Sequence, residues 1–226
     1  MKALIVVPAF NEVAVIHSVL KSLPKKLPGI SELRIVVVND GSTDSTQEEA
    51  QRAGVEVLTH SINRGLGAAI KTGLEVAKRG TYDLMVTFDG DGQHDPADVA
   101  KIVDPIIKKK ADLVIGARFK RLQNIPIDRL ILNWFANLAT LMIFGVTSTD
   151  SQSGLRAFSK KAIELIDFKG ERMDFSSEIL LEAKKHNLVV VEVPIKAIYT
   201  PYSRAKGQKN LNSLAVFLRF LVRIFR

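Results

Sequence analysis

The 226-residue sequence contains no cysteine. This excludes disulfides, cysteine nucleophiles, thiolate-bound zinc and iron–sulfur centres, and it fits a reducing compartment without requiring one. No uninterrupted run of about 18 apolar residues is present, so no segment reads as a transmembrane helix. A single lysine precedes five apolar residues before Pro8; that is too short for a secretory leader, and no small-residue cleavage site follows. Internal repeats and low-complexity tracts are also missing. Acidic residues are absent from the last 31 positions. Residues 196–226 hold seven Lys and Arg (Lys196, Arg204, Lys206, Lys209, Arg219, Arg223 and Arg226), whereas residues 1–195 carry 25 against 24 Asp and Glu. The formal charge of +8 is therefore concentrated in the tail, which points to phosphates, nucleic acid or a membrane surface as partner.

The composition, 46% hydrophobic and 25% charged, is that of a globular protein. The length suits one large α/β domain with an extension, and a core of that size needs no disulfide or structural metal. Strand-like runs fall at residues 3–7, 33–38, 55–58, 84–88, 113–115 and 189–193. Helical patterns fall near 12–23, 44–53, 66–79, 97–109 and 159–167. Runs before residue 116 are apolar throughout, as in strands covered on both faces. The expectation is a Rossmann-like, mostly parallel sheet flanked by helices and joined by right-handed crossovers. Ligands of such sheets lie beyond the carboxyl ends of the strands.

The polar punctuation after those strands carries the chemistry. After the first comes Pro8-Ala9-Phe10-Asn11-Glu12, which also reads as a strand end with Asn11 capping a helix. After the second comes Asn39-Asp40-Gly41-Ser42-Thr43-Asp44. Here Gly41 permits a tight turn, Thr43 or Asp44 caps the next helix, and the backbone amides suit an anion. Asp40 is placed to accept hydrogen bonds from a ribose or a base. Asn63-Arg64-Gly65-Leu66-Gly67 resembles a glycine turn opening a helix. Ile70 stands where a dinucleotide fingerprint needs its third glycine, and the turn follows the third strand, so a Rossmann dehydrogenase is disfavoured. In Phe88-Asp89-Gly90-Asp91-Gly92-Gln93-His94-Asp95-Pro96, an extended backbone points the Asp89 and Asp91 carboxylates the same way. Mg²⁺ or Mn²⁺ with substrate phosphates relieves their repulsion, and Gln93 adds a neutral oxygen. Asp95 and Pro96 read as N-cap and first helical residue. His17, His60, His94 and His186 are scattered and receive no metal role.

Taken in order, Pro8 to Glu12, Asn39 to Thr46, Asn63 to Ala69 and Asp89 to Pro96 resemble the nucleotide-sugar motifs of glycosyltransferase family 2, with its A-type fold, over at least residues 3–210. Asp89-Gly90-Asp91 matches that family's Asp-x-Asp metal motif. The run Asp150-Ser151-Gln152-Ser153-Gly154-Leu155-Arg156-Ala157-Phe158, together with Gly116-Ala117-Arg118 and the basic residues 202–207, resembles the polyprenyl-phosphate branch, which includes dolichyl-phosphate mannose and glucose synthases. The resemblance implies a metal-dependent, inverting transfer of sugar from a nucleotide-sugar donor to a polyprenyl phosphate. Pro8, Ala9, Asn11, Glu12, Asp40, Gly41, Ser42, Gly65, Leu66, Gly67, Asp89 and Gly90 would hold the nucleotide. Asp89, Asp91 and Gln93 would hold Mg²⁺ or Mn²⁺, with Asp89, Asp91 and Arg118 catalytic. Arg118, Arg129, Asn133, Arg204 and Lys206 would bind the acceptor phosphate.

Residues 130–146 form an apolar helix whose polar members Asn133, Asn137 and Thr140 share one stripe. Burial in the protein is one reading; the favoured one is an interfacial helix beside the acceptor. Residues 211–226 carry an apolar stripe opposite Arg219, Arg223 and Arg226, the pattern of an amphipathic helix lying in a membrane interface. The expected organisation is a catalytic domain over residues 1–210 with this helix appended. The expected location is peripheral, on the cytoplasmic side of the cell membrane. Many relatives in this branch continue into transmembrane helices, so a separate membrane-protein subunit or simple surface attachment is expected here. A family-2 enzyme acting on a saccharide hydroxyl is the rival reading and needs a carboxylate base, Asp150 or Glu178. Asp174 and Glu178, in a helix before residue 189, could also meet sugar or simply face solvent. A nucleic-acid binder would leave Asp89 and Asp91 unexplained, and a nucleotide-sugar sensor would differ from an enzyme by lacking turnover.

Overall fold

The computed structural model describes residues 1–120, 125, 127–170, 175–199 and 202, with backbone alone for Lys120 and Asp128. The expected residues Arg204 and Lys206 and the helix at 211–226 lie outside the described residues, as does Asp174.

Seven strands form one sheet: β1 (Lys2–Ala9), β2 (Glu32–Asn39), β3 (Glu56–Thr59), β4 (Leu84–Thr87), β5 (Leu113–Ala117), β6 (Arg156–Ser159) and β7 (Val190–Pro194). Their order is β3-β2-β1-β4-β6-β5-β7. Pairings are parallel except at β6, which runs antiparallel to both β4 and β5. This is the mostly parallel architecture expected, and the apolar runs explain it. Along β1, Ala3, Ile5, Val7 and Ala9 enter one core while Leu4 and Val6 enter the other, because successive side chains point to opposite faces. The first core is covered by α1 (Ile16–Ser22), α2 (Thr46–Arg52) and α4 (Asp98–Ile107). The second is covered by α3 (Leu66–Arg79), α6 (Lys160–Leu165) and α7 (Phe175–Lys185). The long helix α5 (Ile127–Phe144) packs on α7.

Strand β6 was not legible in the sequence. It has four residues, Arg-Ala-Phe-Ser, with no apolar run to betray it, and it begins on a fully buried arginine. Its direction matters for the site. Arg156 pairs with Thr87 at the end of β4 and with Ile115 near the end of β5. An antiparallel strand inserted there brings the loop before it, residues 150–155, to the carboxyl edge of the sheet.

Candidate active site

The first three loops interlock. Asn11 does not cap α1, which begins four residues later than the sequence pattern suggests. It takes a left-handed backbone with φ 54°, accepts from the Thr43 amide through Oδ1 at 2.9 Å, and donates its own amide to Ser42 Oγ at 3.0 Å. The Glu12 amide donates to Thr46 Oγ1 at 2.7 Å. The Ser42 amide is also engaged, by Asn39 Oδ1 at 3.1 Å. The amides expected to receive an anion thus bind side chains of their own loops. Gly41 has φ 70°, and a Cβ there would lie 2.5 Å from the Ile62 carbonyl carbon, so only glycine lets the second and third loops touch.

Asp40 has a structural task that its strand position did not reveal. It is buried, and its carboxylate accepts from the Arg64 amide at 3.0 Å, the Gly65 amide at 2.7 Å and His60 Nδ1 at 2.7 Å. His60 Nε2 in turn meets Thr72 Oγ1 at 2.9 Å. A buried carboxylate must be paired, and here the amino end of α3 pairs it. Asp40 therefore builds the third loop, holding Gly65, Leu66 and Gly67 in place. Sequence reasoning missed this because nothing local links residue 40 to residue 65.

At the end of β4, Asp89 and Asp91 stand together. The Asp89 side chain retains 27% of its exposure and contacts His94 Nε2 at 3.0 Å. Its carboxylate lies directly on Gly154, where an added Cβ would come within 2.0 Å of Oδ2. Burial pushes the Asp89 carboxyl up, but the His94 hydrogen bond and charge, with Arg118 and Arg156 behind, outweigh it and hold Asp89 below the usual carboxylate range. Burial and the charge of Asp89 push the Asp91 carboxyl up. These are two carboxylates whose mutual repulsion a cation would relieve. Among the described residues no group of three or more His, Cys, Asp or Glu surrounds a metal position. Two hard oxygen donors without a full protein cage fit Mg²⁺ or Mn²⁺ completed by water and diphosphate. Gln93 differs from expectation: its side-chain amide and its backbone amide, the latter at 3.0 Å, both donate to Asp91. Both of its nitrogens thus orient Asp91. Gly90 is buried beneath Pro8, where a Cβ would meet the Pro8 carbonyl at 3.1 Å; the first loop and the acidic loop are thereby neighbours.

Arg118 follows β5 and is gripped by Asp150, which is fully buried. Nε donates to Oδ2 at 2.8 Å, Nη2 to Oδ1 at 2.7 Å, and the Arg118 amide to Oδ2 at 2.9 Å. Burial lowers the Arg118 pKa, but the carboxylate overcompensates and the net shift is upward. Arg156 donates to the carbonyls of Ser153 (2.8 Å), Ser176 (3.0 Å) and Ser151 (2.7 Å). Burial without a hydrogen-bonded counterion brings its pKa down to about 10, with Asp150 and Asp89 resisting, so it stays a cation at neutral pH.

Asn133 engages the protein through its nitrogen, while its Oδ1 is buried without a hydrogen-bond partner among the described residues. Its Nδ2 donates to the Thr149 carbonyl at 2.8 Å, as does Asn137 Nδ2 at 2.9 Å. The polar stripe of α5 thus faces the protein, while Ile127, Ile131, Trp134 and Met142 stand 75%, 51%, 60% and 66% exposed. Arg129 lies in the first turn of this helix. Glu178 accepts from the amides of Lys169 (2.9 Å) and Gly170 (3.0 Å). The segment after β7 crosses the acidic loop: His94 bridges Ala197, and the Ile198 amide donates to the Gln93 carbonyl at 2.9 Å. Tyr202 Oη then reaches Glu12 Oε2 at 2.8 Å. Tyr202 thereby brings the described end of the chain to the first loop. His94, Gly154 and Arg156 are the site residues sequence reasoning left without a role.

Residues 4–166 match the model of glycosyl transferase family 2. The UDP-N-acetylglucosamine–dolichyl-phosphate N-acetylglucosaminyltransferase of Methanococcus voltae is 36% identical, over 96% of this chain and 94% of that protein. The undecaprenyl-phosphate mannosyltransferase of Micrococcus luteus is 28% identical, over 91% of this chain and 87% of that protein. Glucosyl-3-phosphoglycerate synthase of Mycobacterium tuberculosis, in complex with Mn²⁺, UDP-glucose and phosphoglyceric acid, superposes with a TM-score of 0.67 at 22% identity, over 97% of this chain and 79% of that one; this likeness establishes the fold. With four loops in the expected order around paired aspartates at the end of the fourth strand, the chain belongs to glycosyl transferase family 2 and is a glycosyltransferase.

Proposed function

We propose that the enzyme moves one sugar from a nucleotide sugar, a UDP-sugar or GDP-mannose, to a polyprenyl phosphate at a membrane surface, with inversion at the anomeric carbon. The observation that carries this reading is the state of the carboxylates that could serve as base. A saccharide hydroxyl must lose a proton as it attacks. The two candidates, Asp150 and Glu178, are engaged by Arg118 and by two loop amides respectively. A phosphate monoester oxygen is already anionic and needs no base. The Methanococcus voltae relative, named for a dolichyl-phosphate acceptor, supports the same choice.

In this mechanism a lipid phosphate oxygen forms a bond to the anomeric carbon as the bond from that carbon to the diphosphate breaks, releasing the nucleoside diphosphate. Asp89, kept ionised by His94, and Asp91, oriented by Gln93, would hold Mg²⁺ or Mn²⁺. The bound cation would stabilise charge developing on the leaving diphosphate. Arg118 has five donors, of which Asp150 takes two from the side chain; the others are left for phosphate oxygens. Arg129 would add positive charge for the acceptor phosphate, and the sequence offers Arg204 and Lys206 for the same role. Pro8, Ala9, Asn11, Glu12, Gly41 and Ser42 line the donor side.

No helix among the described residues is long and apolar enough to cross a membrane. Contact with the bilayer is assigned to the exposed apolar face of α5, which at 18 residues is about 27 Å long, and to the basic amphipathic stretch 211–226. The enzyme is placed on the cytoplasmic side. Radiolabelled UDP-N-acetylglucosamine, UDP-glucose and GDP-mannose, each with Mg²⁺ or Mn²⁺ and dispersed polyprenyl phosphate, test the reaction. Label entering an acid-labile lipid from one donor supports it; transfer to a saccharide hydroxyl instead refutes it. Flotation of the chain alone with vesicles distinguishes surface attachment from dependence on a separate membrane subunit.

A further inference from the structure

The helix assigned to the membrane is also the one that holds the loop behind the catalytic groups. Asn137 grips this loop from both sides. Its Nδ2 donates to the Thr149 carbonyl at 2.9 Å, and its Oδ1 accepts from the Ser151 amide at 3.0 Å. One side chain thus spans the peptide units on either side of Asp150, as a neighbouring strand would. Asp150 is the residue that clamps Arg118, and three residues past Ser151 comes Gly154, on which the Asp89 carboxylate rests. One turn further along α5, Thr140 Oγ1 meets Ser177 Oγ at 2.8 Å and Ser151 Oγ at 3.3 Å, tying the same loop to α7. On the other side of the loop, Glu192 of β7 accepts from the Thr149 amide and from Ser148 Oγ, both at 2.7 Å.

We infer that Asn137 is a positioning residue: through it, α5 sets the loop of residues 149–154 and hence the placement of Arg118 and Asp89. It touches no substrate in this role and acts through Asp150 and Gly154. The loop has no strand partner of its own before β6, so its register depends on side-chain contacts: Asn137, Thr140 and Glu192 hold its first half, and Arg156 and Thr87 hold the carbonyls of Ser151, Ser153 and Gly154. A displacement of about 1 Å at a reacting group costs on the order of 10²-fold in rate, so a small relaxation of the loop has a large kinetic consequence. The inference also gives the apolar outer face of α5 a second meaning. Where that face meets the lipid that carries the acceptor, the helix position and the geometry of the clamp are set together. This rests on the transferase reading for its kinetic readout alone.

The test uses the full chain with Asn137→Ala and Asn137→Asp. Asparagine to alanine removes both hydrogen bonds; aspartate keeps the acceptor for Ser151 but opposes the Thr149 carbonyl with a charge. Three quantities are measured: kcat and donor KM for transfer to dispersed polyprenyl phosphate, melting temperature, and hydrogen exchange of individual amides. The expected result is a kcat lowered by about 10- to 100-fold in both variants, with donor KM within about threefold. The melting temperature should fall by no more than about 8 °C, the scale of two hydrogen bonds. Amides of residues 150–155 should exchange at least about tenfold faster while those of β1 are unchanged. A kcat within about threefold of the unaltered protein, or exchange raised equally in the loop and in β1, overturns the inference. If no acceptor supports transfer by the unaltered protein, the functional reading fails, and local exchange decides the positioning role by itself.

Discussion

Gly154→Ala is the sharpest perturbation of this site. Its backbone lies outside the left-handed region, since Gly154 is not among the residues with positive φ. Alanine is therefore acceptable to the chain itself, and the cost is confined to what the new methyl group meets. That is the Asp89 carboxylate, at 2.0, 2.3 and 2.4 Å from Oδ2, Oδ1 and Cγ. Nonbonded carbon and oxygen need about 3.3 Å, so carboxylate and loop must separate by more than about 1 Å. Asp89 cannot yield without leaving His94 Nε2, and the loop cannot yield without disturbing the Thr87 Oγ1 bond to the Gly154 carbonyl, at 2.6 Å. The expected loss in kcat/KM is at least about 10²-fold, or about 2.7 kcal/mol of transition-state stabilisation. Steady-state transfer kinetics measure it, with Mn²⁺ titration of the resting protein followed by electron paramagnetic resonance to show weakened metal affinity. Circular dichroism should show a folded variant. Activity and Mn²⁺ affinity both within about threefold of the unaltered protein would refute the argument that Gly154 seats Asp89.

Asp91→Asn should abolish metal-dependent transfer yet raise the melting temperature by a few degrees in chelator. A carboxyl whose pKa is raised in the folded state destabilises that state when ionised, so the gain should be full at neutral pH and shrink as pH falls through the raised value. Mn²⁺ should raise the melting temperature of the unaltered protein and not of this variant; an equal rise in both would remove Asp91 from the metal site. Arg156→Met strips donors from three buried carbonyls, each costing about 1–3 kcal/mol when unpaired, and calorimetry should show a melting temperature lower by more than about 6 °C. Replacing Ile131 and Met142 together by glutamate changes only exposed positions; flotation with anionic vesicles should drop at least about fivefold with unchanged melting temperature. Undiminished flotation would assign membrane contact elsewhere.

Much of the sheet could be read directly because β1, β4, β5 and the second half of β2 are buried on both faces, a pattern that helices on one side alone would not produce. The paired aspartates were legible for a local reason too, since they directly follow an apolar strand, although Gly90 and Asp91 form a turn and not the extended chain the spacing suggested. Failures occurred where a residue's partner is distant in sequence. Asp40 looked like a ligand-binding carboxylate because its strand position is right, but its donors are 24 and 25 residues away. His94 sits five residues after Asp89, and no periodicity marks an imidazole turning back on its own loop. Gly154 is one of 14 glycines, and its contact with Asp89 exists only because β6 runs antiparallel. The one local clue was the pair Ser153-Gly154, small residues where a close approach is possible.

Helix α5 shows the same limit in a more informative way. Its polar stripe was visible in the sequence, but periodicity does not say which face meets the protein. In water the expected arrangement puts asparagines outward and isoleucine inward. The structure has the reverse, with Asn133, Asn137 and Thr140 bonded to the loop and α7 while Ile127, Ile131, Trp134 and Met142 face out. Each large side chain left in water forgoes about 1.5–3 kcal/mol of burial, so four of them on one face are a standing cost in solution. The inversion becomes favourable when the outer face meets hydrocarbon, where apolar residues are at home and amides must find partners within the protein. The hydrogen bonds made by Asn133 and Asn137 run to Thr149 and Ser151, the residues on either side of the Asp150 that grips Arg118. On the proposed membrane contact a single helix answers two demands, an apolar outer surface and a polar grip on the loop around Asp150, and neither asparagine nor isoleucine can be exchanged for the other without losing one of them.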